Sequence, residues 1–460
     1  MASATSNPEG DEYYDAESSE EGYNLAKRMP EHWSRDDAAL HWLQKPHTAT
    51  VLFVMILGLM YLGFTRDDSL STVDNYKVGM GSAAFCFLVI CMLYLRDGPF
   101  MRPHPVVWRL VMGIGILYFL SIVVLYFQSR DDVRQLLTHF DANLGRPLPE
   151  RSYAQHCELY TPNDPESSFR NLRDTVQDEF FIAHILGWFF KTLIIRDWRF
   201  CLFMSVLFEV WEYTFEFMLA NFRECWWDHL ILDILFCNNL GILTGILVLR
   251  YMFRIKEYNW TGVVRWTGRT GSSALRRFTP LSWDRFNWDV MRSPKRFLAV
   301  LGVVVHMSVI DLTAFFLKYI LWVPPPHYLN IGRLFMWVAI GSASLREWYQ
   351  FVSDPECHKL GAFVWIGLAG TIAEVMLCIK FGQGIFPDPP PTYVWVPWLV
   401  FLVVGSILVV VFFTRQWLYR QRRRRMLIER GGTGDEDDST PPYFAVSPDA
   451  HLVDAYMNLS

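Results

Sequence analysis

Glu209, Glu212 and Glu216 stand at i, i+3 and i+7 of an apolar stretch near 200–220, so they share one face of one helix. The next apolar stretch opens with Asp228 and contains Asp233. A carboxylate at the centre of a bilayer costs on the order of 3 kcal/mol on the mildest scale, so this group would cost roughly 10 kcal/mol or more if uncompensated. The neighbouring cations are few: Arg223 in the connecting loop and Lys191 one stretch earlier. A hard divalent cation, which collects several oxygen ligands, fits that imbalance better than salt bridges do. The loop between the stretches, NFRECWWD, adds Asn221 and Glu224 as further oxygen donors and a tryptophan pair suited to a membrane interface. His184 lies about 6 Å at helical rise from the end of the preceding apolar stretch, at the same depth. It is the one group there able to exchange a proton near neutral pH.

Other readings compete at each position. A lone histidine in an apolar helix is more often a packing residue, and carboxylates at a helix end can reach water, which suits Glu216 and Asp228 better than Glu209 and Asp233. Asp228 and Asp233 are five apart, about 140° around an α-helix, so one ion serves both only if Asp228 precedes the helix; otherwise two ions are needed. His306, Asp311, Lys318 and Glu374 fall in later apolar stretches and read as structural interhelical partners.

The elements that must carry these residues are membrane spans. The chain has 460 residues, 52% of them hydrophobic and 19% charged, against about 25% charged in an average globular chain. Apolar runs near 48–64, 78–95, 106–127, 180–195, 200–220, 229–252, 297–322, 328–345, 361–379 and 393–414 predict an all-α, polytopic integral membrane protein with about ten transmembrane helices. Seven acidic and no basic residues between Glu9 and Glu21 exclude a secretory signal there. Residues 1–44 read as a disordered acidic tail, 45–415 as the membrane-embedded domain, and 416–460 as a basic then acidic tail. Ten Lys/Arg against three Asp/Glu between Arg254 and Arg296, with Arg415 and Arg422 to Arg425 after the last span, place both segments and both termini in the cytosol. The carboxylates then lie toward the lumen. Asn259 heads a sequon that this topology leaves unused, and Cys157 and Cys225 are both lumenal, where a disulfide and two free thiols are equally open. A net charge of −5 gives no basic face for nucleic acid.

The strings FIAHILGWFFKTLIIRDW (181–198), FEVWEYTFE (208–216), ANFRECWWDHLILDILFCNNLGI (220–242), RDGPFMRPHP (96–105) and RFTPLSW (277–283) resemble the eukaryotic base-exchange phosphatidylserine synthases over roughly residues 45–415. GRPLPERSY (145–153) and LGWFFKTLIIRDW are similar to the phosphatidylethanolamine-using type more than to the phosphatidylcholine-using type. The resemblance implies a calcium-dependent exchange in the endoplasmic reticulum membrane. In it L-serine displaces the ethanolamine or choline of an existing membrane lipid, phosphatidylethanolamine or phosphatidylcholine. It implies His184 as the catalytic base, Glu209, Glu212, Glu224, Asp228 and Asp233 as ligands of Ca2+, and Asn221 and Asn238 as substrate-binding residues. A homodimer is left open.

On the cytosolic leaflet, Arg102, His104 and Arg277 are expected to form a regulatory lipid site, with an ordinary interfacial anchor as the competing reading. A cation-coupled transporter would place its carboxylates nearer the midplane and show an internal repeat. A membrane-bound acyltransferase has no use for a carboxylate cluster. A CDP-alcohol phosphatidyltransferase needs D-x2-D-G-x2-A-R followed by G-x3-D-x3-D, which the sequence lacks.

Overall fold

A computed structural model describes residues 57–58, 61, 65, 71–95, 100, 105–148, 157–162, 167–253, 286–354, 357–386 and 389–429. Every described element is helical, and six helices are long and apolar enough to cross a membrane. The protein is an all-α, multi-pass membrane protein. The chain divides into two compact units, Met1–Ser121 with Ile255–Trp283, and Ile122–Arg254 with Asp284–Ser460.

The first unit contains α1 (Thr72–Tyr94) and most of α2 (Pro105–Tyr126). Ser71 caps α1 by accepting the Asp74 amide. Gly113 lets the two helices approach, since a Cβ there would lie 2.9 Å from that of Cys91, and Arg109 donates to the Met92 carbonyl at 3.1 Å.

The second unit holds α3 (Arg130–Phe140), α4 (Arg170–Val176), α5 (Glu179–Ile195), α6 (Trp198–Phe215), a 3-10 turn (Ala220–Phe222), a π-helix (Asp228–Asn238) running directly into α7 (Asn239–Phe253), α8 (Pro294–Leu321), α9 (Tyr328–Ser353), α10 (Ala362–Gly382) and α11 (Thr392–Glu429). Its core gathers Trp188 and Ile195 of α5, Met204 and Phe208 of α6, Ile242 of α7, Val300, Val303 and Val304 of α8 and Leu345 of α9. Asp197 caps α6 and Ser293 caps α8, each by accepting amides of the first turn.

Nine of the ten predicted spans coincide with helices; the first, 48–64, lies almost wholly outside the described residues. The ends shift. α9 runs eight residues beyond the expected 345, and α11 continues to Glu429, so the first part of the expected basic tail is helical. Arginine is a good helix former and nothing in that segment breaks the pattern.

Two of the intramembrane charges of the later spans, Asp311 and Glu374, have partners on other helices. Lys191 of α5 meets Asp311 of α8 at 2.8 Å. Glu374 of α10 receives Arg333 Nε at 3.0 Å, Thr313 Oγ1 at 2.7 Å and Trp337 Nε1 at 3.2 Å. At the expected lumenal end, α3 is bolted to the C-terminus of α8: Arg134 donates to the Ile320 carbonyl at 3.0 and 2.7 Å and lies on the ring of Trp322, the residue that ends the helix. Gly145, at φ 64°, passes so close to the Arg134 carbonyl that any Cβ would collide with it.

Candidate active site and metal centre

Helix α5 carries His184, and its position is set by a pair of glycines on α7. Gly241 and Gly245 are one turn apart on the face turned to α5. A Cβ on Gly241 would strike the Ile185 carbonyl, and one on Gly245 would lie 2.7 Å from Thr192 Cβ. Small residues at this spacing let two helices in a membrane approach closely. His184 Nδ1 consequently sits 2.8 Å from an Asp233 oxygen, although the two residues belong to different spans.

The backbone around Asp233 differs from the expectation of a plain α-helix. Residues Asp228–Asn238 form a π-helix, whose hydrogen bonds run i to i+5 and bring residues five apart nearly into register. Asp228, Asp233 and Asn238 are spaced by five, and all three are buried. The 140° separation of Asp228 and Asp233 is therefore not present: their oxygens and one of Glu224 lie within 4.8 Å of one another. Asn238 helps hold the register by donating to Ser205 Oγ at 3.0 Å and to Glu209 Oε1 at 3.3 Å. Asn239 donates to the Ile234 carbonyl, five residues back, at 2.7 Å.

Helix α6 supplies Glu209 and Glu212, both buried. Glu216, expected on the same face, caps the C-terminus of α6, and its carbonyl accepts Arg223 Nε at 3.1 Å. Glu224 enters from the loop, which a disulfide between Cys157 and Cys225 pins in place. Trp227 reinforces the tie by donating to the Cys157 carbonyl at 3.2 Å. Burial, then the charges of Glu212 and Asp233, push the Glu224 carboxyl well above the usual carboxylate range. Asn221 lies on the 3-10 turn and makes no hydrogen bond to the described residues of this cluster.

The sequence reading left His229 out of the ligand set. Its Nδ1 is 2.9 Å from Glu209, 3.5 Å from Glu212 and 3.7 Å from Glu224, at the convergence of three carboxylates. The only signal was its place directly after Asp228, and an α-helical projection gave that no meaning.

The residues fit a divalent cation. Among the described residues, three groups offer ligand atoms within 4.8 Å of one another: Glu209, His229 and Asp233; Glu212, Glu224 and His229; Glu224, Asp228 and Asp233. Glu212 Oε2, Glu224 Oε2 and Asn238 Oδ1 are buried with no hydrogen-bond donor, as oxygens kept for a cation would be. Arg102, His104, Arg277 and the Asn259 sequon lie outside the described residues.

A family profile described as phosphatidyl serine synthase matches residues 103–382, well over half the chain. The chain belongs to the phosphatidylserine synthase family. It is 40% identical to CDP-diacylglycerol–serine O-phosphatidyltransferase 2 of Oryza sativa subsp. japonica, over 82% of this chain and 90% of that one. With phosphatidylserine synthase 2 of Danio rerio it shares 39% identity, over 79% and 81% of the two chains. Phosphatidylserine synthase 1 of the same fish is 35% identical, over 86% and 84%. The chain is thus a phosphatidylserine synthase, similar to the second type, and acts on lipid and serine. The matched span takes in the whole cluster and the glycine seam while leaving out α1 and α11. Within this synthase the acidic cluster is built from α5, α6, the π-helix and the loop before it.

Proposed function

We propose that this synthase makes phosphatidylserine by calcium-dependent base exchange, with L-serine replacing the headgroup of phosphatidylethanolamine in preference to phosphatidylcholine. The single observation that carries this reading is the cluster itself: five carboxylates around orphaned oxygens, next to a histidine held by Asp233 at 2.8 Å. The GRPLPERSY and LGWFFKTLIIRDW strings support the choice of phosphatidylethanolamine. The charge asymmetry of the loops supports cytosolic termini and a lumenal site, the disulfide is compatible with that lumenal side, and the endoplasmic reticulum membrane is what the family resemblance implies.

In this mechanism Asp233 accepts the Nδ1 proton of His184 and so fixes the tautomer with its lone pair at Nε2. Nε2 takes the proton of the serine hydroxyl as the serine oxygen bonds to phosphorus. The bond from phosphorus to the ethanolamine oxygen breaks, and the same imidazole returns the proton to that oxygen. Glu209, Glu212, Glu224, Asp228 and Asp233 would hold Ca2+, and Asn238 braces Glu209. When bound, the ion neutralises phosphate oxygens. Burial of Glu209, Glu212, Asp228 and Asp233 limits the access of water, which would otherwise compete with serine.

A second donor merits a place in the test because the rice relative carries CDP-diacylglycerol in its name. The missing CDP-alcohol phosphatidyltransferase pattern favours base exchange. Purified protein is offered radiolabelled serine with phosphatidylethanolamine, phosphatidylcholine or CDP-diacylglycerol, with and without EGTA. Incorporation from phosphatidylethanolamine, with release of ethanolamine and loss in EGTA, is the expected result. Incorporation from CDP-diacylglycerol alone overturns base exchange, and full activity in EGTA overturns the calcium role.

A further inference from the structure

Resting on the calcium-assisted reading above, we propose that the cluster holds two divalent cations: one on Glu224, Asp228 and Asp233, and a second, with a nitrogen ligand, on Glu212, Glu224 and His229. Three observations lead there.

The first is the arrangement of the ligand atoms. The all-oxygen group Glu224, Asp228 and Asp233 and the mixed group Glu212, Glu224 and His229 share only Glu224. Glu224 comes from the loop and can offer an oxygen to each side. Asp228 and Asp233 are on one face of the π-helix, whereas Glu212 arrives from α6.

The second is unmet demand. Glu212 is 2% exposed and its Oε2 has no hydrogen-bond partner, although His229 Nδ1 lies 3.5 Å away. Asn238 is 1% exposed, and its Oδ1 also lacks a donor, while its amide nitrogen serves Ser205 and Glu209. Two buried acceptors on different helices remain, and an ion bound by Glu224, Asp228 and Asp233 alone draws on neither.

The third is charge. One divalent cation leaves three of the five carboxylate charges unmet in a low-dielectric region before an anionic phosphodiester arrives. Two leave a single negative charge to be met by the surrounding protein.

The donor types separate the two positions. An all-carboxylate set suits calcium, whereas carboxylates with an imidazole suit a cation of intermediate hardness such as Mn2+. Paired cations are a recurrent arrangement in phosphoryl-transfer enzymes.

The experiment counts ions and asks for nitrogen. The full chain in lipid nanodiscs is titrated with Mn2+ by equilibrium dialysis, and the bound metal is examined by pulsed electron paramagnetic resonance for coupling to an imidazole 14N nucleus. Two ions per chain with nitrogen coupling are expected. His229→Ala should leave one ion without that coupling, and Asp228→Asn should leave one ion that retains it. The nitrogen signal in the unaltered chain stands even if His229→Ala does not fold. One ion per chain, or two without nitrogen coupling, overturns the second site while leaving the calcium reading intact. No bound ion, with Ca2+ also failing to bind, overturns both.

Discussion

Two buried acidic clusters occupy the same bundle and are treated differently. Around Glu374, which is 0% exposed, the bundle supplies a guanidinium, a hydroxyl and an indole, so that both carboxylate oxygens accept hydrogen bonds. Around Glu209, Glu212, Glu224, Asp228 and Asp233 it supplies two histidines and one amide, and leaves buried oxygens without donors. A carboxylate kept for structure is paired within the protein, because an unpaired buried charge is costly. A carboxylate kept for a ligand is left short of partners, and the surrounding fold must tolerate that until the ligand arrives. Between the carboxylates of these two clusters, unmet hydrogen bonding rather than acidity or burial is what differs.

The largest effect expected to sharpen this contrast is loss of chemistry without loss of fold. His184→Ala should lower serine incorporation by about 10²- to 10⁴-fold, the usual range for a missing general base. Metal binding and the melting temperature should stay near those of the unaltered chain. If turnover per folded molecule survives, His184 is a packing residue and the contrast loses its catalytic member.

The opposite result is expected at Glu374. Arg333→Ala takes the guanidinium away from that buried carboxylate, and should cost about 3–5 kcal/mol of stability, read from thermal unfolding in nanodiscs. Activity per folded molecule should change little. A variant as stable as the parent but inactive would show that the two clusters were assigned the wrong way round.

Intermediate effects belong to the parts that position the site. Breaking the Cys157–Cys225 bond with Cys157→Ser frees the loop that presents Glu224, and should weaken calcium affinity by about 10-fold, the low end for loss of a ligand's support. Terbium luminescence titrations measure it. Gly241→Ala forces α5 and α7 apart and should cost about 1–3 kcal/mol in the same unfolding assay. It should also reduce activity, because His184 and Asp233 are on opposite sides of that seam.

The smallest effect is a pH response away from the site. The Asn143 amide and then His327 hold the Asp141 carboxyl below its ordinary value of 3.8. Its ionised form is therefore favoured in the folded state, so its contribution is present above pH 3.8 and is lost as pH falls through the depressed value. Asp141→Asn should flatten the melting temperature in that acid window and leave it unchanged at neutral pH.

Hydrophobic run length determined by itself that this is an all-α membrane protein and roughly where its spans lie, since a bilayer sets the length of any helix that crosses it. Residue type determined that Glu209, Glu212, Asp228, Asp233 and His184 needed explanation, because each is expensive in hydrocarbon whatever the fold. Which of these groups meet was decided by tertiary structure. Clustering in the sequence set Glu212 apart from the isolated Glu374, but only the structure showed that Arg333 from another helix satisfies Glu374 while Glu212 Oε2 has no donor. Nor could the sequence reveal that residues five apart would stack, since a π-helix is rare and is held here by side chains reaching from Asn238 to Ser205 and Glu209 on another helix. His229 belongs with them: its meaning depends on a register that long-range contacts impose.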